Sequence, residues 1–114
     1  MDEKTKNLLR RGIAGLAWAD SRLSEVERTQ GPSPDLLRMQ RDCASLLSRL
    51  APELQEAHDP DVVWHPKWPV ILSGQDLTFL DSLFRFLARD SKGGGGHLQS
   101  LIELERFISQ VEWV

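Results

Sequence analysis

The chain reads as an all-α protein: three helices with a Pro/Trp-rich strap, completed by a fourth helix after a glycine run. Two observations lead there. Apolar residues recur at spacings of three, four and seven along four separate segments. The prolines and glycines that would break such segments gather between them, at Gln30–Pro34, His58–Ser73 and Gly93–Gly96.

The first helix runs from about Glu3 to Arg28, with Leu9, Ile13, Leu16, Leu23 and Val26 on one face. Asp20 interrupts that stripe, and Gly12, Gly15 and Ala19 form a small-residue strip beside it. Each Gly costs a helix about 1 kcal/mol against Ala. Two of them point either to a helix crossing closely there or to a hinge. After the break, Ser33 suits an N-cap, Pro34 the first helical position and Asp35 the positive end of the dipole. The second helix then carries Leu36, Cys43, Leu47, Leu50 and Leu54 on its inner face. Pro52 removes an N–H inside it, so a kink or restart is expected near Ser48–Ala51.

Residues 58–73 are irregular but too apolar for a free loop, with Val62, Val63, Trp64, Trp68 and Ile71 among them. They are expected to cross the helices as an extended strap with both indoles inserted. Ser73 and Asp76 resemble a capping box opening a third helix, Gly74 to Arg89. Leu77, Leu80, Phe84 and Leu87 form one stripe on it, and Phe79, Leu83 and Phe86 a second. Two stripes mean burial on more than one side. Leu47, Leu50, Leu80, Phe84 and Ile13, each central to a stripe, are the expected core.

Four glycines in a row are not what a helix connection normally uses, since one C-cap Gly with polar turn residues suffices. Gly93–Gly96 therefore reads as an engineered linker, with a natural Gly-rich loop as the alternative. On that reading residues 1–92 are a helical binding domain and 97–114 a tethered partner helix. In the tail, Leu98, Leu101, Leu104, Ile108 and Val111 repeat at three and four, flanked by Ile102, Phe107 and Trp113. This wide apolar face predicts a helix-in-groove interaction. The partner-binding set is Trp18, Leu77, Leu80, Phe84 and Leu87 on one side, and Leu98, Leu101, Ile102, Phe107, Ile108, Val111 and Trp113 on the other.

Composition bounds the remaining options. The chain has 114 residues, 40% hydrophobic and 27% charged, with net charge −3, of which residues 97–114 (one Arg, three Glu) contribute −2. No overall field draws it to nucleic acid or acidic lipid. One cysteine, no membrane-length apolar run and no signal-peptide core point to a soluble intracellular chain. Cys43 on a leucine-lined face is a core thiol rather than a nucleophile. His58, His65 and His97 lack ligand spacing, so no metal or cofactor site is assigned and no enzyme activity is expected. Lys4, Lys6, Arg10 and Arg11 are the densest basic cluster. They favour a solvated face or contact with Glu103, Glu105 and Glu112, with a nucleic-acid-binding module as the alternative reading.

Phe107-Ile108-x-x-Val111-Glu112 resembles the C-terminal helix of an accessory subunit of the meiotic DNA double-strand-break machinery. That subunit's partner begins with Met-Asp and an Ala/Leu-rich helix, to which Met1-Asp2 and Leu16-Ala17 are similar. The resemblance spans about six tail residues and a loose N-terminal pattern. It implies the N-terminal segment of one subunit joined to the C-terminal helix of the other. It also implies a nuclear scaffold, with catalysis left to a separate subunit.

The tether fixes direction. Four glycines reach roughly 14 Å, whereas the third helix is about 24 Å long. The tail helix should therefore run antiparallel to it, placing Leu98 and Ile102 by Leu87 and Phe86, and Val111 towards Leu77. A tail-exchanged dimer is the alternative to a monomer.

Overall fold

The computed structural model describes residues 3–90 and 95–110, and the chain is all-α. There are four long helices among the described residues, α1 (Glu3–Gln30), α2 (Pro34–His58), α4 (Gly74–Asp90) and α5 (Gly95–Gln110), and a strap between α2 and α4 contains the one-turn helix α3 (Trp68–Ile71). They pack up-down-up-down. Gln40 bonds Glu27 while Arg10 reaches His58, so α1 and α2 are antiparallel.

The α1–α2 turn forms as its chemistry dictates. Gly31 takes φ +85° and its N–H donates to Glu27 O at 2.9 Å, an αL cap that only Gly adopts without strain. Ser33 Oγ accepts from Leu36 N at 3.2 Å, and Pro34 opens α2. Of the kink or restart expected at Pro52, the restart does not occur, since α2 runs as one helix from Pro34 to His58.

The inner faces differ in detail from the stripes drawn on the sequence. In α1 the buried arc is Thr5, Leu9, Gly12, Gly15, Leu16, Ala19, Leu23 and Val26, which takes in the small-residue strip and leaves Ile13 just outside it. In α2 the arc is turned towards Leu46, Glu53 and Ala57, leaving Leu47 and Leu54 half-buried. In α4, Phe79, Leu80, Leu83 and Leu87 are buried while Phe84 is half-buried. At 100° per residue Phe84 and Phe86 lie roughly 80° to either side of the arc's centre, so the two stripes straddle one buried face. Of the expected core, Leu50 and Leu80 are buried, and Leu47, Phe84 and Ile13 are half-buried.

The strap is pinned rather than simply extended. Trp68 is buried, Trp64 is half-buried, and Val63 is 78% exposed, so its apolar residues do not all pack. A single helical turn forms at Trp68–Ile71, closed by Ile71 N to Lys67 O and Leu72 N to Trp68 O. Pro69 fits the first turn, where its missing N–H is not needed. At the start of α4, Asp76 Oδ2 accepts from Ser73 N at 2.8 Å, the capping-box bond expected of that pair.

Candidate helix-binding groove

The groove is built from α1 upward. Gly12, Gly15 and Ala19 leave a notch on the buried face of α1, and α5 lies in it. A Cβ on Gly12 would meet the Leu104 methyls at 3.0 and 3.1 Å. One on Gly15 would meet His97 O at 3.2 Å and Ser100 Cβ at 3.4 Å. The glycines thus serve a close crossing, which resolves the choice against a hinge. The cost of two helical glycines is offset by the approach they permit.

Register follows from the pairs along this seam. Trp18 stacks on His97 with centroids 5.3 Å apart and planes within 9°. Gly15 faces His97 and Ser100, Gly12 faces Leu104, and Arg11 Nη2 sits 3.3 Å from Glu103 Oε2. Rising numbers on α5 meet falling numbers on α1, so the two are antiparallel. Leu101, Leu104 and Ile108 are fully buried, while Leu98, Ile102 and Phe107 are half-buried.

α4 makes the second wall, and it too is antiparallel to α5. Burial pushes the Glu105 carboxyl above its usual range, and the Asp81 charge adds to this while Arg85 and Arg106 oppose it. Arg49 of α2 meets Asp76 at the start of α4, and Leu36 near the start of α2 shares a cleft with Phe86 near the end of α4, so α2 and α4 are antiparallel and α4, parallel to α1, is antiparallel to α5. The expected direction holds, but the main wall is α1 rather than the third helix. Small residues let the α1 and α5 backbones approach closely. Phe86, expected beside Leu98 and Ile102, instead lines an open cleft of about 1350 Å³ between α2 and α4, floored by Leu36, Met39 and Phe79. Leu80 and Leu87 are buried within α4's inner face, and Leu77 and Phe84 are half-buried. Val111, Glu112 and Trp113 lie outside the described residues, as do Met1 and Asp2. The helical part of the tail begins at Gly95, two residues before the expected boundary.

The strap closes the end of the groove. Trp68 meets Phe107 edge-to-face, with centroids 5.3 Å apart and planes at 82°. Two α2 residues one turn apart hold the strap. Buried Glu53 accepts from Trp64 Nε1 and Lys67 N, both at 3.1 Å. Arg49 donates to Ile71 O at 2.6 Å and to both oxygens of Asp76 at 2.8 Å. The bond to Asp76 pushes the Arg49 pKa up. The sequence reading assigned neither Arg49 nor Glu53 a role. Nothing in the local pattern of α2 sets either apart from a solvated charge, because their partners come from the strap and α4.

The basic cluster is not brought together as one surface. Arg10 turns to α2 and bonds His58, Arg11 turns to α5 and Glu103, and Lys6 pairs with Glu3 at 3.7 Å. Lys4 is exposed. Among the described residues there is no group of His, Cys, Asp and Glu able to hold a metal ion, and no helix long and apolar enough to cross a membrane.

Cys43 is buried and donates its S–H to Leu16 O at 3.3 Å. Burial pushes its thiol from 9.0 up to about 12, with the Asp20 charge adding to the effect. Because the folded value is the higher one, its contribution to stability is complete below pH 9 and is lost as pH rises towards 12. Between about pH 8.5 and 10.5 the parent chain should lose roughly 2 kcal/mol more than Cys43→Ala. Urea unfolding of both at each pH measures this, and equal losses would contradict it.

Comparison with known protein families, with curated proteins and with solved structures gives no match.

Proposed function

We propose that residues 1–92 are a helical protein–protein interaction module that receives an amphipathic partner helix, and that residues 97–114 are that helix held in place by the glycine tether. The observation that carries this is the notch at Gly12 and Gly15, filled by Leu104, Ser100 and the backbone of His97. Burying Leu101, Leu104 and Ile108 at roughly 1.5–3 kcal/mol each supplies a driving force before ordering costs are subtracted. The tether adds an effective concentration in the mM range. The arrangement supports a binding role. The tail's resemblance to a meiotic accessory subunit supports placing it as a scaffold within a nuclear assembly.

The test is to place a protease site in the glycine run of the full chain and cleave after folding. The two pieces should remain associated at high concentration and separate on dilution, with Trp18→Ala shifting separation to higher concentration. A tail that leaves at every concentration would overturn the reading. Light scattering on the intact chain decides between a monomer and a tail-exchanged dimer.

A further inference from the structure

We infer that the strap is the selectivity element of the groove: Trp68, fixed from both sides by α2, requires an aromatic side chain at the Phe107 position of the partner helix. The inference rests on the helix-binding reading above and goes on to name the kind of helix that fits.

The geometry is specific to Trp68. Glu53 takes the N–H of Lys67, the residue immediately before it, and the indole N–H of Trp64. Arg49 donates to the carbonyl of Ile71, three residues after it, while chelating the capping Asp76. The backbone on each side of Trp68 is thus anchored to one helix at points a single turn apart. With the tail seated Trp68 is 6% exposed, and the restraint that does not depend on the tail is the anchored backbone on either side of it. The ring it meets is Phe107, at 82° and 5.3 Å. Such a pair gains from the quadrupoles of two aromatic rings, which an aliphatic side chain of similar size cannot supply.

Leu101, Leu104 and Ile108 fill space against α1 and α4, and any well-fitting aliphatic residue would serve there. Phe107 is the position at which a helix of the same hydrophobicity is told apart. The partner class is therefore an amphipathic helix with an aromatic residue three places after the leucine that seats on Gly12. Glu53 acts through Trp68 as a positioning residue.

The experiment uses the full chain cleaved in the glycine run, with dissociation followed on dilution. Phe107→Leu and Trp68→Leu should each weaken association about three- to tenfold, and the double variant should cost no more than either alone. Phe107→Tyr should bind as the parent does. Glu53→Leu should remove the discrimination between the parent tail and the Phe107→Leu tail, and Glu53→Gln, which keeps the acceptor, should restore it. Losses at Trp68 and Phe107 that simply add would overturn the inference while leaving the groove standing. A parent tail that never reassociates would overturn both. Should Glu53→Leu fail to fold, the Trp68–Phe107 cycle decides alone.

Discussion

Arg49→Ala should lower the unfolding free energy by about 3 kcal/mol, the low end of what breaking a buried ion pair costs. Asp76 is the reason. Its side chain is 9% exposed and would be left with only the Ser73 cap bonds, having lost both guanidinium nitrogens at 2.8 Å. The carbonyl of Ile71 would lose its donor as well. The value sits at the low end because a third of the Arg49 side chain already faces water. Asp76→Asn should cost less, about 1–2 kcal/mol, since the amide still accepts from Ser73 N and the freed arginine can hydrate. Urea unfolding followed by far-ultraviolet circular dichroism measures both. A loss below about 1 kcal/mol for Arg49→Ala would show that α2 and α4 are held by something other than this pair.

The second large effect is expected at Leu104, which is fully buried and rests on Gly12. Leu104→Ala should cost about 2–5 kcal/mol through lost burial and the cavity left behind. Gly12→Ala alone should be close to neutral, because a gain in helix propensity of about 1 kcal/mol is opposed by a Cβ pressed to 3.0 Å from a Leu104 methyl. In the Leu104→Ala background that methyl is gone, so Gly12→Ala should there recover part of the loss. Thermal or urea unfolding of the four chains gives the coupling. Strictly additive values would mean the two residues do not meet.

The helices and their caps were legible because each rests on local chemistry: Gly31 for the αL turn, Ser33 and Pro34 for the start of α2, and Asp76 for the start of α4. The small-residue strip of α1 was legible only as a close crossing or a hinge, and the sequence could not say which, nor which helix crosses there. That depends on a contact between residues far apart in the chain, Gly12 with Leu104 and Gly15 with His97. The same limit explains why the tail was expected mainly against the third helix. Periodicity marks a helix as apolar on two sides and carries no information on which neighbour takes each side. Phe86 faces the α2–α4 cleft for that reason. The strap's anchors were missed because Glu53 and Arg49 look like ordinary solvated residues until Trp64, Lys67 and Ile71 are folded back onto them.

The most direct test of the helix-in-groove account is a titration of a separate 97–114 peptide into isotope-labelled residues 1–92, read by amide and indole NMR shifts. The account predicts saturable shifts centred on Gly12, Gly15 and the Trp18 indole, with the Trp68 indole moving in step. Shifts confined to Leu36, Met39 and Phe86 around the α2–α4 cleft, or no shift at any concentration, would contradict it.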